Sequence, residues 1–224
     1  MTRFIAILIL LATLPSAALA VLPTKEEPTR TIILIRHGEY EHGDESIDEG
    51  ELVTLGRQQS RLVAERLDAM PIEFDSIQAS TMNRARQTGE IINQWFPELE
   101  LTLHDDIREC TMTTRRQDIM DELEDGEAEA CEEILEAAFT RIFRPATKGR
   151  DEHDIVVCHG NIIRWYLCKV LEVDPEAWLQ MSVANCSITI VQIRADASLK
   201  LISFADSGHI PYAMTSYPGT KAPQ

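Results

Sequence analysis

Two short runs constrain the fold of this chain more than any other feature. Thr31-Ile32-Ile33-Leu34-Ile35 and Ile155-Val156-Val157-Cys158 are unbroken apolar segments rich in β-branched residues. Each gives way at once to a polar His-Gly junction, Arg36-His37-Gly38 after the first and His159-Gly160 after the second. A strand with one wet face alternates apolar and polar residues. A run without alternation fits a strand covered on both faces, as in a largely parallel sheet between helices.

The remaining punctuation fits that frame. Leu55, Leu62, Val63, Leu67 and Met70 recur at helical spacing from Thr54 to Met70, and Pro71 stops the helix. Phe74 to Ala79 reads as a strand. Ser80 and Thr81 are placed to cap a helix running to about Phe96, before Pro97. Leu99 to Leu103 is a third strand, and residues 105–130 form a polar, acidic excursion over the site. An apolar stripe through Cys131, Ile134, Leu135, Ala138 and Ile142 predicts a helix from Ala128 to Phe143. A further helix is expected from Ile162 to Val170. Two strands, Ser187–Arg194 and Leu199–Phe204, should then be joined by a turn at Asp196. Strands alternating with helices predict a three-layer α/β/α sandwich with a mostly parallel central sheet over residues 31–210. Residues 21–30 read as a linker. Residues 211–224 lack periodicity and read as a loose arm or a dimer contact.

Charge narrows the function. Lys and Arg number 21 against 37 Asp and Glu, a net −16. That excludes the basic footprint of a nucleic-acid binder and disfavours anionic membrane surfaces. An anionic substrate must be drawn by local Arg and His against the global field. Residues 1–20 have the order of a secretory signal peptide: Arg3, an apolar run from Phe4 to Leu14, a break at Pro15-Ser16, and Ala18-Leu19-Ala20 as a cleavage site. This predicts a periplasmic or secreted protein with no stable membrane association after cleavage. The alternative is an anchor formed by residues 4–14. Of the five cysteines, Cys158 and Cys168 read as small core residues. Cys110 and Cys131 flank the polar excursion and are candidates for a bridge.

Ligands of open parallel sheets bind beyond the carboxyl ends of the strands. If the two His-Gly strands are neighbours, Arg36, His37 and His159 share one pocket. Arg84 and Arg86 lie in the first turns of the helix that begins near Thr81. Arg86 fits a surface role, and Arg84 reaches the same strand ends. A helix start with arginine beside it suits an oxyanion. No phosphate-binding Gly-rich loop, no nucleophile elbow and no metal-ligand spacing occurs, so neither metal nor cofactor is expected. The residue types match metal-free handling of a tetrahedral phosphate. One imidazole acts as nucleophile, arginines hold the phosphoryl oxygens, and a carboxylic acid such as Glu109 protonates the leaving oxygen.

These residues resemble the histidine phosphatase superfamily, also called the phosphoglycerate-mutase-like fold. The likeness runs in order through Leu34-Ile35-Arg36-His37-Gly38-Glu39, Leu55-Gly56-Arg57 with Gln59, Ala79 to Ala85, Ile107-Arg108-Glu109, and Val157-Cys158-His159-Gly160. It is strongest to the mitochondrial Ser/Thr protein phosphatases of that fold, through Cys158 to Trp165, Asn185 to Thr189 and Asp206 to Pro211. The resemblance implies a metal-independent phosphomonoesterase with His37 as phosphohistidine nucleophile. Arg36 and Arg84 would bind the phosphoryl group, His159 would complete the pocket, and Glu109 would be the proton donor. The Gly160-Asn161 backbone would add N–H donors. Val53 and Cys110 depart from the family pattern, the latter placing a thiol beside the pocket. The implied partner is a phosphorylated peptide or small molecule, with a homodimer as a further expectation. Alternatives are a small-molecule or envelope phosphate-ester phosphatase, a phosphoglycerate-type mutase, and a non-catalytic phosphate-binding scaffold.

Overall fold

The computed structural model describes residues 27–41 and 50–217. The segments read as signal peptide or anchor therefore lie outside the described residues. Six strands form one sheet: β1 (Arg30–Arg36), β2 (Ser76–Ser80), β3 (Leu101–His104), β4 (Glu152–Cys158), β5 (Ile188–Ile193) and β6 (Leu199–Asp206). Their spatial order is β3-β2-β4-β1-β5-β6. The first four are mutually parallel, and β5 and β6 are antiparallel additions at one side. The two strands that end in His-Gly are thus direct neighbours, with Arg36 level with Cys158.

Helices cover both faces, which gives the expected three layers. Ile33 and Ile35 of β1, with Ile155 and Val157 of β4, pack with Val63 and Leu67 of α1 (Thr54–Asp68) and Ile92 of α2 (Asn83–Asn93). The alternate residues Ile32, Leu34, Val156 and Cys158 pack with Leu135 and Ala138 of α4 (Glu127–Ile142) and Ile163 and Leu167 of α5 (Gly160–Val170). Both side-chain sets of β1 and β4 are buried, and this is why neither run alternates. A one-turn helix, α3 (Gln117–Met120), and short 3-10 turns at Asp105–Ile107, Pro175–Gln180 and Tyr212–Met214 complete the described elements.

Several boundaries differ from the sequence reading for local reasons. Helix α2 starts at Asn83 after Met82, with no side-chain cap. Ser80 faces the pocket instead, and Thr81 donates its hydroxyl to Asp105. Helix α5 starts two residues early, at Gly160, with His159 in the cap position. Val53 at the start of α1 supplies no cap bond. The acids of 121–133 are mostly exposed on α4 and the turn before it. Residues 211–217 are docked and not loose: Asn185 N donates to Ser216 O. Cys110 and Cys131 form a disulfide, which ties the segment after Glu109 to α4 and removes the expected free thiol.

Candidate active site

The pocket lies at the carboxyl ends of β1, β4 and β2. His37 follows β1 directly. Its backbone N–H donates to Cys158 O at 3.0 Å, continuing the β1–β4 ladder. Gly38 packs backbone to backbone on Gly56, where an added Cβ would lie 2.6 Å from the Gly56 carbonyl oxygen. The glycines of both segments are therefore required by close approach.

The hydrogen bonds assign the His37 proton. Arg84 Nε, always a donor, points at His37 Nε2 from 3.2 Å. Nε2 is therefore the acceptor, and Nδ1–H donates to Gly38 O at 2.8 Å. The lone pair sits on Nε2, facing Arg84. The His37 and His159 ring centres are 5.1 Å apart. Tyr40 packs edge-on to His37, and the Arg84 guanidinium lies over the Tyr40 ring at 4.6 Å.

His159 is fully buried and bonds Ser80 Oγ through Nε2 at 2.9 Å. Met82 N–H donates into the same oxygen at 3.3 Å. His159 Nδ1 is 3.5 Å from Glu109 Oε2 and has no hydrogen-bond partner among the described residues. Burial, then the neighbouring His37, Arg84, Arg36 and Arg108, push the His159 pKa well below 6.5. The ring is neutral at physiological pH and serves as a hydrogen-bond donor, not as a cation.

Arg36 is anchored through Nη1 on Val183 O at 2.6 Å, while its buried Nε has no partner among the described residues. Burial lowers its pKa, partly offset by Glu109, Tyr40 and Glu39. The guanidinium lies against the bare Cα of Gly160, where a Cβ would come 3.0 Å from its central carbon. Glu109 is held at the mouth by Asn161 N–H, which donates to Oε1 at 3.0 Å, and Oε2 is 3.8 Å from Arg84. This differs from the expectation for residues 160–161. The Asn161 N–H orients the acid, because α5 begins at Gly160 and its first N–H groups rise beside Glu109. Arg164 braces this corner, donating to Gly160 O and the Asn161 side chain and lying over the Trp178 ring. Burial and then Arg36 bring its pKa down to about 10.

All seven predicted site residues meet in one pocket. Arg86 does not join them and pairs with Glu90 on the surface. The sequence reading missed Ser80, Tyr40, Arg164 and Asn185. Ser80, Arg164 and Asn185 sat in the recognised segments, but nothing local marks a serine or asparagine as aimed at a distant histidine. His37, Glu109 and His159 each offer one ligand atom within 4.8 Å of the others, a set able to hold a metal. The adjacent guanidiniums of Arg36 and Arg84 oppose a cation there and favour an anion.

Comparison with known proteins agrees with this geometry. The chain is 33% identical to the serine/threonine-protein phosphatase PGAM5, mitochondrial, of Xenopus tropicalis, over 84% of this chain and 68% of the relative. It is 36% identical to its Caenorhabditis elegans counterpart, over 84% and 66%. It thus spans about two thirds of the length of these curated relatives. Their names place them in mitochondria, which overturns the expected periplasmic or secreted location and leaves the signal-peptide reading without support. No helix of the described residues is long and apolar enough to cross a membrane. Among solved structures, Bacillus stearothermophilus YhfR shares the fold with a TM-score of 0.64 at 19% identity, covering 81% of this chain and all of that one. A phosphoglycerate mutase from Plasmodium falciparum aligns with a TM-score of 0.57 at 25% identity, covering 79% and 91%. The sequence pattern of the Histidine phosphatase superfamily (branch 1) matches residues 32–204. With two histidines, two arginines and an acid gathered at the strand ends, the chain belongs to that superfamily and is an enzyme that hydrolyses phosphate esters.

Proposed function

We propose that this chain removes phosphoryl groups from phosphoserine and phosphothreonine in proteins or peptides through a phosphohistidine on His37. The observation that carries the reading is the His37 Nε2 lone pair, fixed by its partners and set among Arg36, Arg84 and His159. His37 Nε2 attacks phosphorus and the bond to the ester oxygen breaks. Glu109 gives its proton to that oxygen. Water then attacks the phosphohistidine, Glu109 takes the water proton, and phosphate leaves as the bond to Nε2 breaks. The arginines and His159 face the phosphoryl oxygens throughout and stabilise their charge. The protein-phosphatase names of the relatives support the substrate class.

The test is hydrolysis of p-nitrophenyl phosphate from pH 4 to 8 in excess EDTA, beside His37→Ala, followed by phosphopeptides and small phosphate esters. Turnover that survives chelation and drops at least about 10⁴-fold in the variant is expected. Activity abolished by EDTA sinks the mechanism, and preference for small esters over phosphopeptides sinks the substrate class. A homodimer through the edge strand β6, whose Ile202 and Phe204 are exposed, belongs to the same proposal. Gel filtration of Phe204→Glu should give the smaller species.

A further inference from the structure

Gln59 and Asn185 sit in the recognised segments and are fully buried, yet the phosphoryl chemistry uses neither. Their bonds explain them. His37 Nδ1–H needs the Gly38 carbonyl as acceptor, and Gly38 has no side chain to hold its backbone in place. Both peptide planes beside it are clamped from outside. In the plane between His37 and Gly38, the carbonyl accepts from Asn185 Nδ2 at 2.9 Å and the N–H donates to Thr88 Oγ1 at 3.0 Å. In the plane between Gly38 and Glu39, the carbonyl faces His37 Nδ1 and the N–H donates to Gln59 Oε1 at 2.9 Å.

The two clamps meet at one residue of the C-terminal segment. Gln59 Nε2 donates to Ser216 Oγ at 3.0 Å and to Met214 O at 2.7 Å. Ser216 Oγ has a single proton and gives it to Asn185 Oδ1 at 3.0 Å. Asn185 N donates back to Ser216 O at 3.1 Å. The direction of these bonds decides which way both amides face. With its oxygen on Ser216, Asn185 turns its NH₂ to the His37 carbonyl. With its NH₂ on Ser216, Gln59 turns its oxygen to the Glu39 N–H. The result is a closed ring from the His37 carbonyl through Asn185, Ser216 and Gln59 to Glu39.

We infer that Ser216 is a positioning residue for the nucleophile, holding His37 in its Nδ1–H form by locking the Asn185 and Gln59 amides that clamp Gly38. The inference rests on His37 being the nucleophile. Loss of the Ser216 hydroxyl leaves a buried amide oxygen and a buried amide N–H short of a partner. It loosens the Gly38 carbonyl, so the His37 tautomer is still held from the Arg84 side but no longer firmly from the Nδ1 side. The phosphoryl-binding groups stay in place, so the loss falls on turnover and not on affinity.

The experiment compares Ser216→Thr with the near-isosteric Ser216→Val in the full chain, with His37→Ala as control. Steady-state kinetics on p-nitrophenyl phosphate are read beside the ¹⁵N shifts of the His37 ring, which report the tautomer. Ser216→Val should lower kcat about tenfold with KM within twofold, and should shift the His37 signals toward tautomer exchange. Ser216→Thr should restore both. Equal kcat and an unchanged His37 spectrum in the two variants overturn the inference, as does a loss in Val matched by Thr. The ring spectrum is independent of turnover, so a His37→Ala protein that still turns over strikes the nucleophile assignment and leaves the test of the ring intact.

Discussion

Strands β1 and β4 carry buried charge at both ends, and the two ends are built oppositely. At the amino end, Arg30 meets Asp154 at 2.5 Å, with Glu152 3.6 Å away. Asp154 also accepts the Ser76 hydroxyl, and Glu152 accepts backbone N–H groups from Thr147 and Lys148. One cation faces two carboxylates, and Asp154 is bonded through both oxygens, while Arg30 Nη1 has only the longer ion pair to Glu152. At the carboxyl end, Arg36 and Arg84 converge with two histidines about one central carboxylate, Glu109. Among the described residues, Arg36 Nε and His159 Nδ1 have no hydrogen-bond partner. Buried charges that balance within the protein hold a structure together; an excess of buried guanidinium charge over carboxylate suits a site that takes up an anion. The same two strands thus separate stability from chemistry by their length.

That separation can be broken by experiment. The largest effect should come from Asp154→Ala, which strands Arg30 in the interior. Urea unfolding should show a loss of about 3–5 kcal/mol, with kcat per folded molecule within twofold of wild type. A parallel fall in kcat would join the two ends. Glu109→Gln is the mirror case. It should slow phosphoserine hydrolysis by about 10²–10³-fold, slow the first-turnover release of p-nitrophenolate far less because that group leaves without a proton, and leave the unfolding midpoint nearly unchanged. Gly160→Ala sharpens the comparison on a smaller scale. Its methyl presses on the Arg36 guanidinium, so kcat/KM should fall about tenfold and inhibition by inorganic phosphate should weaken with it.

The smallest effect concerns Asp75, near the amino end of β4, where Lys148, Arg150 and the His153 N–H converge on one carboxylate. Burial alone would raise its pKa, but the bonds from Arg150, Lys148 and His153 outweigh it and hold the pKa far below the usual carboxylate range. A depressed folded-state pKa gives stability that is present above the unfolded value near 4 and is lost as pH falls toward the folded value. Asp75→Asn should therefore cost about 1 kcal/mol at pH 7, the half-exposed cations being screened, and the gap to wild type should close below about pH 4. Thermal melts across pH 2–7 read it directly, with turnover at pH 7 unaffected.

How much of this was legible follows from how local each cause is. β1 and β4 were readable because burial on both faces writes itself into consecutive residues, and the abrupt polarity after them marked the pocket. Arg84 was readable because a helix start fixes where its second residue points. Ser80 was not: a serine before a helix is an ordinary cap, and only the β2–β4 pairing shows that its hydroxyl meets His159. The Cys110–Cys131 bridge stayed open in the sequence because pairing depends on where α4 lies. Asn185 and Ser216 were invisible as a pair, since their meeting depends on how the last segment crosses the sheet. The apolar run from Phe4 to Leu14 reads as an export signal on hydropathy and its flanks, and the mitochondrial names of the relatives do not support that reading.

The strand order also sets when the enzyme comes into being. Arg30 and Asp154, bonded partners in neighbouring strands, stand 124 positions apart in the chain. On a ribosome, the nucleophile's strand emerges early and has no parallel neighbour until β4 is made, and the ring behind it waits for Ser216. Closing so wide a span costs chain entropy before any contact repays it, which places assembly among the slower folding events. A chain interrupted anywhere between these points carries His37 without its pocket, so activity waits until the chain has been made through Ser216.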